Sequence, residues 1–413
     1  MKRTLYIYLL SIFMLANGAL FTWLFLGTPL SFWRQLIWGF GLYVVIKNYH
    51  KFKDPKLNRF LRLHSYFCCY VIAMSAITIL IYNFNLMRII YAFWMYFSGL
   101  PFILLPYIYK QQGLKPENLF KTFAYLGLFL TLGLIIDYTT GGFFTKSFLL
   151  ATASDLGGLL EADRYCFLSE APTTFAVYYS FCMVSTLYLM YSTNEYKKKF
   201  IYFCITLSFF LGAFFTGSRQ IVAALGIVFS ISLIYYILFV KDKKTFIAAS
   251  LIIATISLPY INRFINSGDS YYKERYNTES IKEDSRYAAW EDGLNETILS
   301  GDIKTTLVGK AVALSQGQKA AKGEILGRHY ENTFYSRWSE LGIYGTLFIF
   351  IPICFVIKRM KKLDFLNVLI TSLFISYLFI SYISPNGIHQ TTQMVIYISI
   401  GIFLCKDYFA IRK

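Results

Sequence analysis

Long apolar stretches follow one another along most of the chain, separated by short polar segments, and a smaller number of positions show helical spacing within the polar remainder. A bilayer core of roughly 30 Å takes about 20 apolar residues per helical crossing. On that measure the sequence predicts twelve crossings, near 4–26, 30–46, 63–82, 88–109, 119–138, 170–191, 200–216, 220–240, 245–262, 339–357, 363–383 and 391–405. The second, seventh and last are short and are expected to be tilted, broken or re-entrant. The first follows Met1-Lys2-Arg3 and outruns the apolar core of a signal peptide, so it is read as a retained helix. The fold class expected is therefore an all-α integral membrane protein, one polytopic domain over 1–413, with two larger loops at 139–169 and 263–338.

The charged residues orient this array. Lys2 and Arg3, Lys47 to Arg62, Lys110 and Lys115, Lys197–Lys199, Lys241 to Lys244, Lys358 to Lys362, and Lys406 to Lys413 place 23 basic residues on one set of loops. The short loops of the other set hold only Lys146, Arg164 and Arg219. By the positive-inside rule the first set, with both termini, is cytoplasmic. The 263–338 loop carries 11 basic and 11 acidic residues, so it gives no topogenic signal of its own and falls outside by alternation.

Composition narrows the function. The chain is 56% hydrophobic, 15% charged and 19% aromatic, with a formal net charge of +17. In a soluble protein that charge would point to nucleic acid. Here it sits in membrane loops, no nucleic-acid motif accompanies it, and no nucleic-acid partner is expected. No cytoplasmic segment exceeds about 20 residues, which leaves no room for a nucleotide-binding domain and its P-loop. Six of seven cysteines lie in apolar runs and only Cys166 in an outer segment. Neither CxxC nor HExxH occurs, so neither a disulfide framework nor a zinc site is expected, and no cofactor.

The outer segments hold the candidate chemistry. Ser280-Ile281-Lys282-Glu283 has capping-box spacing, and Tyr287, Trp290, Leu294 and Ile298 then recur at helical spacing. This predicts a helix lying apolar face down on the membrane surface, with Arg286 one turn before Trp290. Its plain alternative is a structural interfacial helix with a solvated arginine. Thr306-Leu307-Val308-Gly309 is an apolar stretch closed by glycine. Arg328-His329-Tyr330-Glu331-Asn332 leads to a helix starting Ser339-Glu340-Leu341-Gly342-Ile343-Tyr344-Gly345. His329 and Glu331 can each act as a general base; Glu331 can equally be an acid favouring a helix N-terminus. Arg219, in Thr216-Gly217-Ser218-Arg219-Gln220, is either a snorkelling arginine or an anion-binding one on a tight hairpin. Arg164 precedes Ser169-Glu170-Ala171-Pro172. Three outer arginines beside a His/Glu pair would make a pocket for a phosphate and a hydroxyl nucleophile. Glu161 and Asp163 have the spacing of an acidic metal pair, which is common in loops, and His389 either lines the same pocket or sits in a surface turn. His50 and His64 are read as cytoplasmic and structural.

In combination these stretches resemble the O-antigen polymerase and O-antigen ligase superfamily of bacterial envelope glycosyltransferases. The resemblance rests on Arg164 with Glu170-Ala171-Pro172, Gly217-Ser218-Arg219, Ser285-Arg286 with Trp290, and Glu331-Asn332 with Glu340-Leu341-Gly342-Ile343-Tyr344-Gly345, spanning about 160–350. It implies a GT-C-like membrane enzyme on the outer face of the cytoplasmic (cell inner) membrane. The implied reaction is metal-independent and uses an undecaprenyl-diphosphate-linked oligosaccharide as donor. Membrane lipid and a chain-length regulator protein are the further partners implied. It assigns diphosphate binding to Arg219 and Arg286, with Arg164 beside them, proton acceptance to Glu331 or His329, and makes Trp290 and Asn332 pocket residues, to which His389 is added by its place on the outer side. Ligases of the superfamily carry His immediately before the Asn of the last motif; here that position is Glu331, and His329 lies two residues earlier. This favours a polymerase over a ligase delivering polymer to lipid A core. A lipid-linked oligosaccharide flippase is the non-enzyme alternative, but it would line a central path with its charges and leave the long outer loop unexplained.

Overall fold

A computed structural model describes residues 2–48, 52, 54–82, 86–149, 164–169, 175–239, 286–310, 312, 332–357, 364–384 and 389–410. Among these every regular element is helical. The helices are α1 (Lys2–Ala16), α2 (Gly18–Leu24), α3 (Trp33–Asn48), α4 (Pro55–Tyr82), α5 (Leu86–Phe97), α6 (Leu105–Gln111), α7 (Pro116–Thr139), α8 (Phe143–Leu149), α9 (Phe175–Ser192), α10 (Tyr196–Phe215), α11 (Arg219–Phe239), α12 (Arg286–Thr297), α13 (Ile303–Val308), α14 (Thr333–Ile357), α15 (Phe365–Ile383), α16 (Gln390–Leu404) and α17 (Lys406–Phe409).

Five of them, α4, α7, α10, α11 and α15, are long and apolar enough to cross a bilayer; α1 and α2 would add a sixth if the pair, bent by 95°, is one span. That is the fold of a multi-pass helical membrane protein. Lipid is the solvent the exposed surface calls for: on α7, Tyr125, Phe129, Leu132 and Ile136 form a bare apolar stripe at helical spacing, each 41% exposed or more.

Several expected spans change shape. The 4–26 run breaks at Asn17. The 88–109 run becomes α5, a 3-10 turn at Leu100–Leu104 and α6, because Pro101 and Pro106 withhold the N–H groups that a continuous helix needs. The expected seventh span is not short, since Tyr196–Lys199 carry α10 back to 20 residues. The 245–262 span lies outside the described residues, as does the Ser280–Glu283 box.

The chain groups into two compact units. Unit 1 is Met1–Leu119, Ser285–Lys362 and Tyr377–Lys413; unit 2 is Phe120–Asp284 and Leu363–Ser376. Each contains a helix apolar all round and wrapped on all sides, the arrangement expected of a helix without a polar face. In unit 1 it is α16, whose 15 residues are all buried. In unit 2 it is α9, buried from Phe175 to Met190.

The core of unit 1 joins α4, α5 and α14: the Phe67 ring stacks on Phe348 with centroids 4.0 Å apart, and Val71, Met74, Ile89, Phe97, Leu341 and Val312 close round it. Helix α14 starts six residues before the expected Ser339, because Asn332 Oδ1 accepts from the Phe334 and Tyr335 N–H groups at 2.8 and 3.2 Å and caps it. The helix then breaks at Gly342 (φ 61°, ψ −165°). The end of α13 lies across the break: a Cβ on Gly342 would stand 2.3 Å from the Leu307 carbonyl oxygen, and one on Gly309 2.5 Å from that of Glu340. The Tyr70 hydroxyl bridges the joint, 2.8 Å from the Leu341 carbonyl oxygen and 3.3 Å from that of Val308. Gly342→Ala is expected to lower stability by about 2–5 kcal/mol, combining a backbone region closed to side chains with overpacking. Gly226→Ala on α11, where a Cβ meets nothing within 4 Å, should leave the melting temperature in detergent unchanged or slightly raised. Equal behaviour of the two variants would refute the tight crossing.

Candidate functional site

In unit 1 the structure gathers three of the residues singled out from the sequence. Helix α12 forms where helical spacing predicts it, but its buried positions are Gly293 and Thr297, with Trp290 half-buried and Tyr287 and Ile298 exposed. The face expected to lie on the membrane is left largely uncovered by protein, and the helix packs inward through Gly293 and Thr297. Gly293 decides this, since the Tyr335 ring of α14 occupies the space a larger side chain would take, 2.8 Å from a notional Cβ. Held in this way, α12 directs Arg286 and Trp290 at the last turn of α15. The Arg286 guanidinium donates a long hydrogen bond (3.4 Å) to the Ile383 carbonyl. The Trp290 ring meets Tyr382 at 5.4 Å between centroids. Asn332 donates from its amide nitrogen to the Tyr382 carbonyl, and Thr333 donates to that of Ser384 at 2.8 Å. The tail of the same loop is tied down by Trp338 Nε1, which donates to the Thr306 carbonyl at 3.0 Å, and by an ion pair of Lys310 with Glu296 at 3.6 Å.

His389 stands at the start of α16 and is engaged as its N-cap, its Nδ1 accepting from the Thr391 N–H at 3.4 Å. Burial, helped by the positive charge of Arg34, lowers its pKa to about 3. The neutral ring this favours is what the cap requires. His329 and Glu331 lie outside the described residues, as do Glu161, Asp163, Glu170, Ala171, Pro172 and Ser285.

Unit 2 holds Arg164 and Arg219, both half-buried, and its construction was not anticipated. The organising group is Asp137, fully buried near the end of α7. Its Oδ1 accepts from Phe144 N at 2.8 Å and its Oδ2 from Phe167 N at 3.1 Å; the Thr145 N–H and hydroxyl also point at the carboxylate. One carboxylate thereby caps α8 and pins the 164–169 strap. Phe167 adopts φ 52°, a left-handed conformation unusual for a bulky residue, with its ring packed on Phe129 and Phe144. Tyr165 N donates to the Phe215 carbonyl at 3.4 Å, which brings the strap carrying Arg164 to the end of α10. From there the chain turns through Gly217 (φ 61°) into Arg219, the first residue of α11. Arg164 and Arg219 thus belong to the same end of unit 2. Cys166 between them is buried, and burial raises its thiol pKa, which makes it unreactive.

No protein-family model matches the chain, and no curated protein matches it.

Among the described residues no three His, Cys, Asp or Glu side chains are grouped so as to hold a metal ion. What both clusters offer is guanidinium groups, an indole and amides at partly buried positions: groups that bind anions and sugar faces. His64 has the structural role expected of it. It is buried in unit 1, with Nε2 2.6 Å from the Tyr397 hydroxyl and Nδ1 3.3 Å from the Phe60 carbonyl oxygen. Arg337, which the sequence reading counted only among the charges of the outer loop, is buried too. Its one sequence signal is a basic residue two positions before an apolar span.

Proposed function

We propose that the chain is a polysaccharide polymerase of the O-antigen polymerase kind, joining undecaprenyl-diphosphate-linked repeat units on the outer face of the cytoplasmic membrane. The observation that supports this reading best is the convergence of Arg286, Trp290 and Asn332, the residues the family resemblance selects, on one turn at Tyr382–Ser384. In the proposed step an acceptor sugar hydroxyl attacks the anomeric carbon of the donor glycan. The new glycosidic C–O bond forms as the C–O bond to the diphosphate breaks, and the electron pair leaves on the diphosphate oxygen. The resemblance assigns stabilisation of that charge to Arg219 and Arg286. Glu331, or His329 in its place, takes the hydroxyl proton. Trp290 offers an aromatic face to a sugar ring.

A deletion strain distinguishes the readings. Loss of a polymerase is expected to leave single repeat units attached to the lipid A core. Long glycans stranded on undecaprenyl diphosphate would instead identify a ligase, and single units held on the inner face a flippase; either result would overturn the proposal.

A further inference from the structure

We infer that unit 1 contains an internal binding site for a tetrahedral oxyanion of the phosphate class, built on Arg337. This site does not depend on the proposed transfer reaction. Arg337 is 7% exposed, and its guanidinium sits over the Tyr96 ring, 4.0 Å from its centroid. Its Nε has no hydrogen-bond partner, and neither has the Tyr96 hydroxyl, itself in a side chain 4% exposed. Among the described residues no carboxylate lies within ion-pair distance of Arg337.

Arg337 and Tyr96 both contribute to the lining of one cavity of about 40 Å³, completed by His64, Tyr377, Gln393 and Tyr397 and otherwise by aliphatic and phenyl side chains. An unpaired charge in such surroundings costs several kcal/mol, more than a single cation–π contact of up to about 2 kcal/mol returns. An anion in the cavity removes that deficit. The other polar groups leave the donors to the anion: His64 is bonded to Tyr397, and the Gln393 amide donates to the Met95 carbonyl at 2.6 Å. The cavity has room for more than one water-sized group, and a phosphate presents up to four oxygens to it. A guanidinium fork presents two parallel donors to two of those oxygens. Tyr377 lies six residues before the end of α15 and Tyr397 seven after the start of α16. The site is therefore ~10 Å along the bundle from those ends, within reach of a free phosphate or of a lipid phosphate drawn inwards.

The test uses the purified full chain in neutral detergent, melted with inorganic phosphate against gluconate at equal ionic strength. A parallel series is melted in mixed micelles with phosphatidic acid against phosphatidylcholine. The melting temperature is expected to rise by about 3–5 °C at saturation in the phosphate series; a rise only with phosphatidic acid assigns the site to a lipid headgroup. Arg337→Met should melt no lower than the parent without phosphate and should lose the rise. Tyr96→Phe keeps the ring and removes one donor, and should weaken phosphate binding about tenfold; it carries the test if Arg337→Met does not fold. No rise in either series, a rise that survives Arg337→Met, or an unchanged midpoint in Tyr96→Phe overturns the site.

Discussion

Arg286→Ala and Arg219→Ala are each expected to abolish glycan polymerisation, a fall of at least 10²–10³-fold, while the protein still inserts and melts near the parental temperature. The reasoning differs for the two residues. Arg286 is half-buried and donates a long hydrogen bond of 3.4 Å to the Ile383 carbonyl at the end of α15. A purely structural role is available to it, since a cation near a helix C-terminus favours the exposed carbonyls. Lysine supplies that charge equally well, but it lacks the planar fork that grips two phosphate oxygens. Arg286→Lys therefore separates the roles: an inactive, stable variant supports diphosphate binding, and full activity reduces Arg286 to a helix cap. Arg219 opens α11 two residues after the left-handed Gly217, and lysine lacks the same fork there, so Arg219→Lys should fail in the same way. The readout is the ladder of polymer lengths in membranes carrying equal amounts of each variant. A normal ladder from both alanine variants would remove the diphosphate role.

The largest loss of stability is expected at Asp137. Asp137→Ala strips the acceptor from the Phe144, Thr145 and Phe167 N–H groups and from the Thr145 hydroxyl, all in a buried setting. Breaking a buried charge-assisted network by removing one member costs about 3–5 kcal/mol. The strain of Phe167 at φ 52° then has nothing to hold it, and the strap with Arg164 should detach. Asp137→Asn retains the shape and one good acceptor and should lie between. Melting temperature in detergent and protease sensitivity at 164–169 measure this. A stable Asp137→Ala variant would mean that the strap is held by its ring contacts alone.

Helix existence was legible from hydropathy; helix continuity was not. Counting apolar residues cannot detect the bend at Asn17 or the break at Gly342, because both leave the mean hydropathy untouched. The 88–109 run reads as one span by hydropathy although Pro101 and Pro106 carry the signal for its interruption. Arg286, Trp290 and Asn332 were found because spacing and motif order single out residues of binding chemistry. Asp137 was hidden as one acid at the end of an apolar span, its partners 7 to 30 residues away in a loop without motif. The packed face of α12 was not legible, because spacing marks large apolar residues while Gly293 and Thr297, which meet the rest of unit 1, carry no such signal.

The joint under Tyr70 also sets a timetable for assembly. Its hydroxyl must find the Val308 and Leu341 carbonyls, 238 and 271 residues downstream, and Thr78 on the same helix accepts from Val312, 234 residues on. At roughly 5–20 residues per second, α4 waits about 14–54 s after synthesis for the last of these to be made. Asp137, by contrast, has its partners within 30 residues and closes in seconds. A ribosome that stops before α13 therefore leaves an inserted chain whose first third still lacks its own packing partners, the kind of species that membrane quality control removes.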